Sequence, residues 1–459
     1  MADAPPESQA PASLTEHELE MSMRKNVLAG MLGTVWLVAV YGLPTPLLMQ
    51  AIHATGFQLG LMGAVRQAAM FTQLPSAFFV ERLHRRKPYW AAIATVHRGL
   101  WFVPAFLPLL WPNGQTHWAV VLIIALGLSD CLGNASTAPW LSWMADLLPA
   151  GRAGRFWGRR QRFLSSVVLI AALSFGWILD RASHTEGSLL GFTIVFAIAG
   201  TFGIGDIVVH WGVAEPPPQH SAPGQSFWKR LLVPLRRRDF RRMTLAMGAW
   251  MAALALPGYY YGTPGFFNVV YLHESFDATY SEASWLVLAS AVGAVMWSHS
   301  IGHGIDRYGA KVVAMFLAAV GPLFTLTWFF ASPGRITIPF IGQVPQPVVL
   351  MSAASLIIGG FYAGMQLCQY RLTQALTPNT GRTVAMAVHW STAGVIGSMG
   401  ALLGGWVKDH MPTAWSTWTV PGGAPFSYFH VLILLQLLLA WGVALPLLAS
   451  LRGGRAEEA

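Results

Sequence analysis

The strongest constraint on this chain is a series of apolar runs, each about 20 residues long, separated by short polar connections. A helix rises 1.5 Å per residue, so such a run crosses the roughly 30 Å hydrocarbon core of a bilayer with its backbone hydrogen bonds satisfied internally. The runs read as twelve spans: 26–49, 58–80, 89–111, 118–143, 163–180 and 190–211, then 244–271, 281–301, 312–331, 347–370, 383–406 and 427–450. They are numbered 1 to 12 below. Most connections are short. The exception is 212–243, where Glu215-Pro-Pro-Pro218 leads into a basic run from Lys229 to Arg242. The chain therefore divides into a tail (1–25), a first bundle (26–211), a basic linker (212–243), a second bundle (244–450) and a closing tail (451–459). The expected fold is an all-α membrane protein with twelve transmembrane helices in two six-helix bundles.

Charge supports this reading and sets the orientation. Asp, Glu, Lys and Arg make up 11% of the chain, too few to cover a soluble domain, where about 25% is usual. A net charge of +9 would suit nucleic acid or a membrane surface. Its distribution decides. If both termini are cytoplasmic, every Lys and Arg falls in a cytoplasmic segment except Arg66, Arg98, Arg181, Arg335 and Lys408. That is the positive-inside pattern, so the basic linker is expected to face anionic lipid and no nucleic-acid partner is expected. Residues 1–20 are Pro-rich and then acidic, unlike a secretory signal, and Thr15-Glu-His-Glu18 reads as a helix capping box. Cys131 and Cys368 both lie in apolar runs and offer neither a disulfide framework nor metal spacing.

The two halves repeat each other. Ala77-Phe-Phe-Val-Glu81-Arg82-Leu-His84-Arg85-Arg86 lies between spans 2 and 3, and Gly302-His-Gly-Ile-Asp306-Arg307-Tyr-Gly309-Ala-Lys311 lies between spans 8 and 9, an offset of 225 from Glu81 to Asp306. Span 5 ends Gly176-Trp-Ile-Leu-Asp180 and span 11 ends Gly405-Trp-Val-Lys-Asp409, an offset of 229, which Pro149 and Pro378 share. The bundles are thus expected to be pseudo-symmetric. The repeated acidic-basic loop resembles the signature loop of the major facilitator superfamily: Gly, three residues, acidic, basic, any residue, Gly, then basic positions. The second copy matches well, whereas the first departs at Ala77 and His84. Topology, loops and duplication extend the resemblance over residues 24–452. Trp143-Met-Ala-Asp146 through Pro149, Arg152, Arg155 and Arg159-Arg160 also resembles a poorly characterised bacterial subset to which no settled substrate attaches.

The resemblance implies two bundles rocking about a midplane site. Spans 1, 4, 7 and 10 would line the cavity, spans 2, 5, 8 and 11 would meet between halves, and spans 3, 6, 9 and 12 would pack outside. It implies a bacterial inner-membrane location with both termini cytoplasmic, and a monomer. Glu81, Arg82, Arg85, Arg86, Asp306, Arg307 and Lys311 are the candidate gating residues. A carboxylate at a helix end can pair with Arg and cap a helix of the opposite half in one state only.

Ionisable groups at bilayer depth are costly and mark partners, pathways or substrates. The first half carries Arg66, Arg98, Asp130 and Asp206, while the second offers only His299 and His389. Asp130 lies close to mid-membrane with Asn134 one turn on, on the same face. Arg66 could pair with Asp130 or bind an anionic group. Arg98 and Asp206 are expected to form a bundle-stabilising pair. In span 7, Pro257-Gly-Tyr-Tyr-Tyr261-Gly-Thr-Pro264 suggests a broken helix, with Tyr259 and Tyr260 as candidate pocket residues or as an interfacial belt. Gln366, Gln369 and His389 complete the candidate pathway, with helix–helix packing as the alternative. Gly394, Gly397, Gly400 and Gly404 would permit close helix approach.

No phosphate-binding loop, HExxH or nucleophile elbow occurs, so no catalysis, cofactor or metal is expected. The expected function is secondary active or facilitative transport of a small polar organic solute, a sugar or organic acid, with a proton as candidate coupling ion. Two alternatives stand beside it: an exporter of amphipathic compounds, although span 5 lacks the Gly-Pro pattern resembling that of family drug antiporters, and a non-transporting scaffold or sensor.

Overall fold

A computed structural model describes residues 14–80, 82–182, 189–217, 227–260, 263–264, 266–377 and 382–451. Glu81 and Tyr261 lie outside them. Among the described residues, ten stretches are long and apolar enough to cross a membrane, running Glu16–Ala51, Arg86–Leu110, Pro112–Leu147, Arg155–Ala182, Leu190–Trp211, Tyr280–Tyr308, Ala310–Phe330, Gln346–Ala375, Val384–His410 and Tyr428–Ala449. The other two spans are interrupted. Span 2 is a helix Gly56–Ala68, a 3-10 turn Ala69–Thr72 and a helix Gln73–Val80. Span 7 is a helix Arg238–Ala255 and a helix Phe266–Phe276, with Tyr259–Tyr260 paired antiparallel to Thr263–Pro264 between them. Proline has no N–H and clashes with the preceding turn, and Pro257-Gly258, with Gly258 at φ +90°, ends the first helix. The protein is all-α, with twelve membrane helices in two six-helix bundles. Span 1 starts at Glu16 rather than 26, because the Thr15 hydroxyl and the Glu18 carboxylate exchange hydrogen bonds with each other's backbone N–H.

The loops between spans 2 and 3 and between spans 4 and 5, together with Arg236–Arg242, define a basic face; the opposite end is called the far face. Apolar packing is divided unequally between them. At the far face one continuous core draws on all twelve spans, including Trp36, Leu59, Leu126, Phe175, Phe196, Phe267, Leu286, Trp328, Met351, Val407 and Phe429. At the basic face there are two separate cores. One, around Trp90, Trp143 and Ile207, belongs to the first bundle, and one, around Phe240, Ile305, Leu372 and Leu448, to the second. The bundles therefore share one core at the far face and keep separate cores at the basic face, where Leu74 of span 2 packs against the second bundle's.

Spans 2 and 11 run together for most of their length. Gly60 and Gly405 meet at the far end, where a Cβ on Gly405 would lie 2.3 Å from the Gly56 carbonyl oxygen. Deeper in, the Ser391 hydroxyl donates to the Met70 carbonyl at 3.1 Å. Of the other four glycines in span 11, Gly394 and Gly397 abut Gln67, whereas Gly400 and Gly404 abut span 7 within their own bundle. Spans 5 and 8 meet near the far face, at Ala172, Gly176 and Asp180.

The far face is closed by a symmetric pair of caps. Spans 2 and 8 begin with capping boxes in which Thr55 and Thr279 accept from the third helical N–H. The first two N–H groups of each helix are bonded from the opposite bundle. Asp409, at the end of span 11, accepts from Gly56 and Phe57, both at 2.6 Å. Asp180, at the end of span 5, accepts from Tyr280 at 2.8 Å and Ser281 at 3.0 Å. A negative charge at a helix N-terminus is favoured both by these orphan donors and by the helix dipole. The repeated glycines, Gly176 and Gly405, bring the helices close enough for the carboxylates to reach.

An N-cap is worth about 1 kcal/mol, so Asp180→Ala combined with Asp409→Ala should shift the closed-to-open ratio of the far face by roughly thirtyfold. Spin labels at the exposed Thr116 and Thr413 would show a longer distance population. Gly405→Val should act in the same direction by steric contact. An unchanged distance distribution in both variants would show that these contacts do not hold the bundles together.

Candidate functional site

The buried ion pair of the first bundle is the most polar feature at depth. Arg66 in span 2 and Asp130 in span 4 have side chains only 2% exposed, and the Arg66 Nε donates to Asp130 Oδ2 at 3.1 Å. The Tyr41 hydroxyl of span 1 donates to Oδ1 at 2.9 Å. The guanidinium also lies over the Tyr41 ring, 4.5 Å from its centroid, and 5.7 Å from the ring of Phe266, which comes from span 7 of the other bundle. A buried pair is tolerable only when its hydrogen bonds are well made, and three side chains from three spans make them here. The second bundle has no equivalent among the described residues. An offset of 229 sets Asp130 against Gly359, where a Cβ would lie 2.0 Å from the Ser290 carbonyl oxygen. Close backbone packing takes the place of charge.

Beside the pair runs a polar seam between spans 2 and 4. Asn134 donates to the Asp130 carbonyl at 2.9 Å and accepts from Gln73 Nε2 at 2.7 Å, while the Thr72 hydroxyl donates to the Cys131 carbonyl at 2.7 Å. Gln73 and Asn134 are half-buried, and Thr137 and Leu141 further along span 4 are exposed. In span 10 the corresponding stretch has Gln366 half-buried, donating to the Tyr362 hydroxyl at 3.3 Å, followed by exposed Leu367 and Tyr370.

Gln369 and His389 are turned into the second bundle. The Gln369 amide oxygen lies 3.5 Å from His389 Nε2, and Thr244 Oγ1 lies 3.0 Å from Nδ1. All three are buried, which makes the trio a packing network. Tyr259 is likewise buried, in the second-bundle core, and shares a small cavity with Trp250, Thr325 and Gln436. Tyr260 lies in the two-residue ladder after the break. The structure places Gln369, His389 and Tyr259 in helix packing and leaves Gln366 half-buried.

Arg98 and Asp206 pair at 3.0 Å and anchor a larger cluster. Arg98 stacks 3.7 Å above the Trp36 ring. Asp206 Oδ1 lies 2.8 Å from His210 Nδ1, and His210 Nε2 accepts from Trp140 Nε1 at 3.1 Å. Arg160 enters from span 5 against Gly30, which has no Cβ to obstruct it. Spans 1, 3, 4, 5 and 6 are tied together by these side chains.

The described gating candidates make their ion pairs within their own bundles. Arg86, whose side chain is 1% exposed, pairs with Asp146 at 2.5 Å and donates to Ser142 and the Pro216 carbonyl. It is a tie between the loop, span 4 and the linker rather than a free gating charge. Arg82 stacks 3.8 Å above Phe78, and Arg85 is exposed. Asp306 pairs with Arg371 at 3.4 Å, Arg307 lies 5.2 Å from the Tyr308 ring, and Lys311 donates to the Leu451 carbonyl at 2.6 Å. Gly309 adopts φ +83°, a conformation that glycine tolerates. His84, at the matching position, does not adopt positive φ, so the first loop turns differently. Tyr41, Gln73, Phe266 and the interbundle roles of Asp180 and Asp409 were not anticipated from the sequence. The repeated Thr55 and Thr279 capping boxes, 224 residues apart, were the signal that would have located the caps.

The Major Facilitator Superfamily sequence profile matches residues 27–401. No curated protein matches the sequence significantly. Among solved structures, the nucleoside transporter NupG superposes with a TM-score of 0.63 at 14% identity, covering 94% of this chain and 98% of that one. The D-xylose-proton symporter gives 0.63 at 15% identity, covering 92% and 97%. A bacterial homologue of the iron transporter ferroportin, in an inward-facing state, gives 0.63 at 14% identity, covering 95% and 100%. At this identity the likeness shows the fold, and the profile match shows the family: the chain belongs to the Major Facilitator Superfamily.

Proposed function

We propose that the protein is a secondary transporter of a small organic solute, working by alternating access in a bacterial inner membrane with its basic face and both termini in the cytoplasm. The observation that carries this reading is the unequal packing: one core shared at the far face and two separate cores at the basic face. A scaffold would need no such division, and a bundle pair joined at one end is what a rocking carrier requires. The conformation is then inward-facing, with the Asp180 and Asp409 caps as the closed external gate. The solute would meet Gln73, Asn134 and Thr137 from span 4's side and Gln366 and Tyr370 from span 10's. Hydrogen-bonding amides and hydroxyls there fit a sugar or an organic acid. Membrane lipids are its surroundings, and a monomer suffices because each chain holds both halves of the pathway.

In this reading Asp130 is the residue that would carry a coupled proton. It is shielded by Tyr41, Arg66 and Phe266 while the far face is closed. Opening that face withdraws Phe266 with the second bundle and gives water access to the pair. Asp130→Asn keeps size and hydrogen bonding but cannot titrate. It should abolish accumulation driven by a pH gradient in proteoliposomes while leaving counterflow exchange intact. Undiminished pH-driven uptake would assign Asp130 a structural role.

The loop arginines separate two roles. Arg86→Ala leaves Asp146 without its buried partner and should cost about 3–5 kcal/mol of folding stability. Arg85→Ala touches an exposed side chain and should change stability by no more than about 0.5 kcal/mol. If Arg85 gates the cytoplasmic face in the outward-facing state, its variant will still shift cysteine accessibility measured from the two sides. Equal loss of folded protein in both variants, with unchanged accessibility, would reduce the loop to a structural element.

A further inference from the structure

Spans 1 and 5 enclose a groove that the transport reading leaves unused. At its cytoplasmic end it holds a cavity of about 460 Å³. Arg24, Arg152, Arg155 and Arg159 rim it, and Leu28 and Phe163 are among the apolar residues of its wall. Arg152, Arg155, Arg159 and Phe163 recur at three- and four-residue spacing, so they share one face of span 5. Arginines that served only to orient the chain would not need to converge on a cavity. Two of the four are neutralised locally, Arg152 by Glu16 and Arg24 by Glu20 at 3.8 Å. Arg155 and Arg159 make no ion pair among the described residues, although Arg159 lies 5.9 Å from the Phe163 ring. The groove therefore has two spare cations at its mouth and an apolar wall behind them.

The cavity lies at the cytoplasmic end of both spans, where Leu28 and Phe163 are exposed.

We propose that this cavity binds an amphiphilic anion, with a carboxylate or phosphate head on Arg155 and Arg159 and an apolar body against Leu28, Met31 and Phe163. This rests on the transport reading above and narrows it: the groove is the cytoplasmic station for a solute that is an organic anion with an apolar portion. Charge-assisted hydrogen bonds from guanidinium suit both head groups. The apolar wall selects against inorganic anions, which would leave it uncovered.

The test is equilibrium binding of decyl phosphate to the full chain in phosphatidylcholine nanodiscs, with inorganic phosphate and decyltrimethylammonium as comparisons. Decyl phosphate should bind tightest, and its affinity should fall with added salt. Arg155→Gln with Arg159→Gln should weaken it about tenfold or more, whereas the corresponding Lys pair, which retains charge, should keep much of the affinity. Equal affinity for decyltrimethylammonium, or an unchanged affinity in the Gln pair, would overturn the proposal. The comparison of head groups on the wild-type protein stands even if the Gln pair does not fold. Phosphatidylglycerol added to the nanodiscs distinguishes the sources: displacement of decyl phosphate identifies a leaflet lipid as the occupant, and no displacement identifies a water-soluble anion. Either result supports the shared chemistry. Binding without transport of any anion would uphold the site and remove the transport reading.

Discussion

Two carboxylates hold the far face shut, and much of the rest follows from that closure. Asp180 and Asp409 each bond two backbone N–H groups of a helix in the opposite bundle. Lipid offers helices no hydrophobic reason to associate, so close packing and interhelical hydrogen bonds must join the bundles. The caps supply the hydrogen bonds, and Gly60, Gly176 and Gly405 supply the close approach. With the far ends locked, the shared apolar core forms behind them, Phe266 settles near Arg66, and span 8 packs beside spans 1 and 5.

The two bundles are alike in topology and unlike in chemistry. The first carries the interior ions, held in two clusters: Arg66 with Asp130 and Tyr41, and Arg98 with Asp206, His210 and Trp140. The second is assembled from small residues and neutral networks, with Gly359 and Gly293 against span 8 and span 10 backbone and with Thr244, His389 and Gln369 bonded in series. A charged bundle with its ions already paired behaves as a rigid unit, since separating a buried pair is costly. Conformational change is then cheaper between the bundles than within them, and the weaker contacts at the interface, individual caps and van der Waals packing, are the ones that can be exchanged.

The sequence by itself determined the number of spans, the division into six and six, the repeat and the residues with unusual cost at depth. These follow from local rules: a run long enough to cross lipid must be helical, and an ionised side chain among apolar neighbours stands out whatever its partner. The pairing of Arg66 with Asp130 was one of two open readings, because spans 2 and 4 are adjacent only once the bundle is assembled. Only the tertiary structure decided which way side chains on one helix face. Gln366 and Gln369 are three residues apart, yet one bonds Tyr362 and the other is buried against His389. Only the tertiary structure, too, could show that Asp180 and Asp409 reach helix termini in the other half, since a carboxylate at the end of a span reads the same whether it meets water or a backbone N–H 100 or 353 residues away. Local hydrophobicity fixes what crosses the membrane. What touches what is fixed by packing, which no single span contains.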